Sequence, residues 1–224
     1  MFIIQGDFMK LTWYGHSCFL LETSNNTKIL MDPFDSKIGY IPFKGSVDIV
    51  TISHDHFDHS NLTNLDCEPQ IINSTNEYLI DSIKITGIPS FHDDQNGLKR
   101  GPNIIFLFEV DNLRLCHLGD LGHMLNDDYK DLLGNIDVLM IPVGDLYTIG
   151  GKTAYRICDL LSPKYIIPMH YKTPNLSFLL RGPEEFLIAS KNVSKLPNNT
   201  LNTEDLFVSS ENTPKVLLLS PPQI

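Results

Sequence analysis

Residues 53–59 read SHDHFDH and follow directly on the apolar run VDIVTI. Three histidines and two aspartates in seven positions are costly to bury and have little structural use at the end of a core strand. Their spacing is His54-x-His56-x-Asp58-His59. If the run stays extended through His56, residues two apart project to the same side and His54 and His56 can share one metal. A turn then folds Asp58 and His59 back beside them. Neutral imidazole and carboxylate suit zinc, and manganese or iron as well. Seven residues do not encircle two ions, so the pattern demands further His or Asp residues at the ends of later strands. His92 ends ITGIPSFH, Asp120 ends LRLCHLGD and His170 ends YIIPMH. Strand ends are where open α/β sheets gather functional groups.

The surrounding pattern supports this frame. KLTWYG, CFLLET and KILMD are strand-like, with TSNNT as the turn between the second and third. VDIVTIS has the near-continuous, β-branched character of a strand covered on both faces. PQIIN and IKITGIPS continue as strands, and NIIFLFEV and LRLCHLGD form a hairpin about Asp111-Asn112. NDDYKDLLGN reads as a short helix capped by Asn or Asp. GKTAYRICDLLS reads as a helix stopped by Pro163, and GPEEFLIASKN as one with proline in its first turn. IDVLMIPVG, KYIIPMH and KVLLLS are further buried strands, and the polar stretch at 194–214 is a loop. Hairpins early and strand–helix alternation later predict two packed sheets covered by helices, in one domain over 1–224. Met9 opens MKLTWYG, so residues 1–8 are an extension, the product of an upstream start or a cloning remnant.

Charge and cysteine usage narrow the function classes. The net charge of −10 repels a phosphate backbone, so nucleic acid is not an expected partner. Cys18, Cys67, Cys116 and Cys158 are scattered without a CxxC pair, as in a reduced, cytoplasmic protein. No apolar stretch reaches the length of a membrane span and no secretion signal is visible.

SHDHFDH resembles the HxHxDH signature of the metallo-β-lactamase fold, and the order His92, Asp120 in HLGD, His170 in IPMHY is similar to that family's later ligands. LTWYGHSCFLLET, ILMDPF, HLGDLG, MIPVGDLYTIGGKTAYR and YIIPMHYKTP extend the likeness over residues 9–175. They resemble the branch of small metal-dependent hydrolases that includes the ascorbate-6-phosphate lactonase-like proteins. The resemblance implies an α/β (α+β) fold, a four-layer αββα sandwich with a binuclear site along one edge. Carried over, it implies His54, His56 and His92 on one ion, Asp58, His59 and His170 on the other, and Asp120 bridging. Asp32, in LMDPF, is expected to orient the cluster's backbone or an imidazole rather than to ligate. Two ions about 3.5–4 Å apart share a water and lower its pKa, and Asp58 orients that hydroxide or takes its proton. Zinc is favoured as the ion pair.

Substrate contacts are sought beside the ligands. His16, in YGHSCF, either approaches the pocket or serves a structural hydrogen bond. HDDQNGLKRGPN is expected to be a flexible loop bringing Lys99 and Arg100 to a phosphate or carboxylate on a small substrate. GDLYTIGG offers Asp145, Tyr147 and Thr148 but lacks Walker spacing. His117 reads as a strand residue and His123 as a loop residue. The leading expectation is a hydrolase of a small ester, lactone, amide or phosphoester, with a homo-oligomer compatible. The alternatives are a ribonuclease or phosphodiesterase of the tRNA-processing type, an iron enzyme of redox chemistry, and a metal- or metabolite-binding regulator without turnover.

Overall fold

Two mixed β-sheets face each other at the centre of the computed structural model, which describes residues 9–206 and 214–222. Residues 1–8, read above as an extension, and residues 207–213 of the polar stretch lie outside them. Strands β1 (Lys10–Gly15), β2 (Cys18–Glu22) and β3 (Lys28–Met31) form an antiparallel meander, which β4 (Ile49–Thr51) and β5 (Gln70–Ile72) join in parallel. A second antiparallel run follows in β6 (Glu77–Ile80), β7 (Ile83–Phe91), β8 (Pro102–Val110) and β9 (Leu113–His117). The chain then alternates α1 (Asp127–Leu133), β10 (Val138–Pro142), α2 (Gly151–Leu161), β11 (Tyr165–Met169) and α3 (Glu184–Ala189). Short strands β12 (Val193–Lys195), β13 (Thr200–Asn202) and β14 (Lys215–Leu218) close it. The strand orders are β13-β1-β2-β3-β4-β5 and β12-β14-β11-β10-β9-β8-β7-β6.

Local chemistry accounts for the turns. Asp111 and Asn112 adopt φ of 51° and 60°, the left-handed pair that a two-residue hairpin requires. Asn126 caps α1 by accepting from the Tyr129 amide. Pro183 stands just ahead of α3 rather than inside its first turn. β6, β12 and β13 are strands the sequence pattern does not reveal. Each is three or four residues long at a sheet margin, too short to carry a period, and is defined by its ladder partner.

Alternation in the first sheet sorts side chains onto two buried faces. Leu11, Trp13, Phe19, Leu21, Ile29, Met31 and Ile49 point into the core between the sheets, while Cys18, Leu20, Leu30 and Val50 point outward. The outward set is covered by Phe34, Ile38, Tyr40, Leu176 and Leu180. Among the described residues, the outer layer on this side is therefore a 3-10 turn (Ser36–Ile38) and extended loops, not an α-helix. The other sheet carries Ala154, Ile157 and Leu161 of α2 and Phe186 of α3. No helix among the described residues is long and apolar enough to cross a membrane.

Candidate metal centre and active site

Strand direction brings the functional groups together. β1 and β3 run the same way because both are antiparallel to β2, and β4 is parallel to β3. β7 and β9 run the same way because both are antiparallel to β8, and β10 and β11 follow β9 in parallel. His16, Asp32, the 54–59 cluster, His92, Asp120 and His170 all lie just past the C-terminal ends of these strands. Three of them, His16, Asp32 and His170, sit at φ of 53°, 45° and 50°. Left-handed backbone at such residues costs about 1–2 kcal/mol each and persists only where the surroundings enforce it.

The cluster folds differently from the expected extended run. β4 ends at Thr51, and the amides of His56 and His59 then bond to the carbonyls of His54 and His56, at 3.1 and 2.9 Å. A tight turn, not strand alternation, thus brings the His54 and His56 rings to 4.5 Å between centroids. Ring nitrogens of His54, His56 and His92 that could each offer a ligand atom all lie within 4.8 Å of one another. Those of His59 and His170 gather in the same way with His16.

Asp120 stands between the groups. Its Oδ2 lies 3.0 Å from His170 Nε2, 3.3 Å from both His59 Nε2 and His92 Nε2, and 4.0 Å from His54 Nε2. Burial pushes this carboxyl up, but the neighbouring His170 and His59 outweigh it and hold the group well below the usual carboxylate range. The Asp120 amide donates to Asn103 Oδ1 at 2.9 Å, and Asn103 Nδ2 donates in turn to Ser90 Oγ and the Leu118 carbonyl. Gly119, at φ 55°, has no room for a Cβ, which would stand 2.4 Å from Asn103 Oδ1 and 2.6 Å from Ser53 Cβ.

Asp32 and Ser53 fix the imidazoles. Asp32 Oδ1 accepts from the Ser53 amide at 2.8 Å, and Asp32 Oδ2 accepts from Ser53 Oγ at 2.6 Å and pairs with His59 Nδ1 at 2.9 Å. Having donated to the carboxylate, the Ser53 hydroxyl accepts from His54 Nδ1–H, 2.9 Å away. Both Nε2 lone pairs are then directed at the centre, the arrangement of a ligating histidine. Burial and the nearby His59 lower His54 to about 3, so it is a neutral imidazole. For His59, burial lowers the pKa but Asp120 and Asp32 raise it well above the usual value, which marks a position that favours a cation.

His54 Nε2, His59 Nε2 and Asp120 Oδ1 are buried without a well-formed hydrogen bond. Orphaned atoms of this kind cost about 1–3 kcal/mol each. The two Nε2 atoms face the same anionic Asp120 carboxylate, and His59 Nε2 also lies 3.8 Å from Asp58 Oδ2, so the donor set fits divalent cations.

Asp58 has a partner that its sequence position does not suggest. His16 Nε2 lies 3.2 Å from Asp58 Oδ2, and the His16 ring packs tilted against His170 with centroids 4.2 Å apart. The His16 carbonyl also accepts from Trp13 Nε1 and from the His170 amide. His16 is buried, so it braces the centre from below and takes no part in the cavity wall. Burial and the neighbouring His170 lower it to about 4. Asp58 is pushed up by burial, but the His16 hydrogen bond and the His59 charge outweigh this and keep it ionised.

A cavity of about 400 Å³ opens over the centre, and Lys99, Arg100 and Tyr147 line it. The 93–101 loop is pinned rather than loose. Asp93 Oδ1 accepts from the amides of Gln95 and Gly97, and Oδ2 from those of Lys99 and Arg100, all within 2.9 Å. Burial raises the Asp93 carboxyl, but these donors pull it down to about 2. Arg100 donates to the Leu146 carbonyl at 3.1 Å and lies 5.5 Å from the centre of the Tyr147 ring. His117 is satisfied within the core by the Ser17 carbonyl and the Gly119 amide, and His123 accepts from the Phe91 amide.

The model of the β-lactamase superfamily domain matches residues 10–170. The chain belongs to the metallo-β-lactamase superfamily. A candidate Zn-dependent hydrolase of this superfamily from Thermotoga maritima is similar in structure, with 38% identity and a TM-score of 0.78 over 96% of this chain and 100% of that one. A UPF0173 metal-dependent hydrolase of Archaeoglobus fulgidus is 31% identical over 82% of this chain and 91% of its own. Igni18, a metallo hydrolase from Ignicoccus hospitalis, shares the fold at 21% identity and a TM-score of 0.65, over 96% of each chain. The matched superfamily region runs from β1 to His170, so it contains every group of the centre described above.

Proposed function

We propose that this metal-dependent hydrolase holds two divalent ions and cleaves a small anionic ester, lactone or phosphoester in the cavity above them. His54, His56 and His92 would hold one ion and Asp58, His59 and His170 the other, with the Asp120 carboxylate available to both. Zinc suits this mixed nitrogen and oxygen set, with manganese or iron compatible. The observation that carries the reading is the convergence of four histidine Nε2 atoms within 3.0–4.0 Å of Asp120 Oδ2.

When bound, the ions supply an activated water near neutral pH and polarise the substrate's carbonyl or phosphoryl oxygen. The chain's own residues do the rest. Asp58, held anionic by His16, is a weak base and acts by ligating and orienting. Lys99 and Arg100 receive the substrate's phosphate or carboxylate, with Arg100 preset by Leu146 and Tyr147. Hydrolysis breaks a C–O or P–O bond, leaves the water oxygen on carbon or phosphorus, and sends a proton to the leaving oxygen. Thiol catalysis is unsupported, since burial pushes Cys18, Cys116 and Cys158 up and away from the thiolate, and Cys67, bonded to the Val47 backbone, does not line the cavity. A phosphorylated sugar lactone, suggested by the resemblance to the ascorbate-6-phosphate lactonase-like branch, is one member of this substrate class.

His54→Ala and His170→Ala are expected to lower bound metal and to abolish hydrolysis of an aryl ester and a phosphodiester. Elemental analysis of both variants checks this, and unchanged metal content in both would sink the assignment.

A further inference from the structure

Beyond the groups that face the metal centre, the cavity wall is built from two cations, Lys99 and Arg100, and three aromatic rings, Phe57, Tyr147 and Phe178. Among the described residues, no Ser, Thr, Asn or Gln side chain lines this wall. The aromatic side is preformed. Phe57 and Phe178 meet edge to face at 5.9 Å, and Phe178 packs on the buried His16 ring at 5.8 Å. The Phe57 carbonyl accepts from the Asp35 amide at 3.1 Å, and that of Phe178 accepts from Lys172 Nζ at 3.0 Å. Phe57 is nevertheless 51% exposed and Phe178 only partly buried. Large apolar groups held in place at a cavity and left uncovered gain when a ligand removes them from water.

The wall composition discriminates between substrates. A polyhydroxylated substrate loses water from each hydroxyl and needs a hydrogen-bond partner in return. Lys99, Arg100 and the Tyr147 hydroxyl offer such partners on one side, but the Phe57 and Phe178 side chains offer none on the other. An aryl or alkyl body needs none. We infer that the substrate is amphiphilic, with an aryl or alkyl body against Phe57 and Phe178, an anionic group at Lys99 and Arg100, and the scissile group between them above Asp120. This rests on the hydrolase reading above and narrows its substrate class, against the phosphorylated sugar lactone that the resemblance alone suggests.

Hydroxamates of constant metal-binding head and varied body test it on the metal-loaded protein, by calorimetry without turnover. Phenylacetohydroxamate should bind at least 10-fold tighter than acetohydroxamate, at about 4-fold per added methylene equivalent. Succinic monohydroxamate should bind about 10-fold tighter than acetohydroxamate, through the cations. Gluconohydroxamate should gain nothing. The Phe57→Ser/Phe178→Ser double variant should erase the phenyl gain alone, and Lys99→Gln/Arg100→Gln the carboxylate gain alone. Gluconohydroxamate binding as tightly as the phenyl probe, or a phenyl gain that survives the double serine variant, would overturn the inference. If acetohydroxamate itself fails to bind, the metal-centre reading falls, and this inference with it.

Discussion

At the residue scale the centre depends on groups that never face substrate. Ser53 links Asp32 to His54 and so fixes which nitrogen of His54 is free. Ser53→Ala should lower stability by about 1–3 kcal/mol, because Asp32 loses a donor and His54 Nδ1 an acceptor, as read by denaturant midpoint. His16 has the same standing toward Asp58 and His170. His16→Ala should weaken metal binding about 10–100-fold, measured by competition with a chromogenic chelator, whereas His16→Gln, which retains a donor, should recover part of it. Equal losses in the two variants would deny the hydrogen bond to Asp58 a role. The sequence leaves His16 open between a pocket contact and a structural hydrogen bond, and it names the partner of neither Ser53 nor His16. Their partners lie 21 and 42 positions away, and the contacts exist only once the strands are side by side.

At the element scale the sequence is most informative where an apolar run ends in a lone polar residue. His92, Asp120 and His170 are placed at strand ends by that rule, and the folded chain gathers all three around one point. The rule fails for the cluster itself, where a turn replaces the extended run because β4 is only three residues long. It is silent on the 93–101 loop. Gly, Asn and Asp there suggest mobility, yet Asp93 gathers four amides and gives the segment a fixed shape. Asp93→Asn keeps the size but halves the acceptor capacity of the carboxylate. It should raise KM for anionic substrates about 10-fold while metal content stays at the wild-type value. A change in metal content without a change in KM would show that the loop serves His92 instead of Lys99 and Arg100.

At the scale of the whole molecule, two sheets with their functional strand ends aligned bring together candidate ligands that are distant in the chain, from His54 to His170. Ions bound across both sheets would therefore stabilise the folded state by mass action. Each ion held at a thousandfold its Kd contributes about 4 kcal/mol, which corresponds to roughly 10 °C in Tm for a chain of this size. Chelation should lower Tm by at least that amount, and readdition of zinc or manganese should restore it, as followed by differential scanning fluorimetry. The net charge of −10 leaves the cavity's paired cations, Lys99 and Arg100, as a local exception suited to a small anion. The most direct test of the central claim is an anomalous difference map, recorded at the absorption edge of the metal that copurifies with the chain. Two peaks flanking Asp120 Oδ2, one toward His54, His56 and His92 and one toward Asp58, His59 and His170, are the predicted result. A single peak, or peaks away from Asp120, would contradict it.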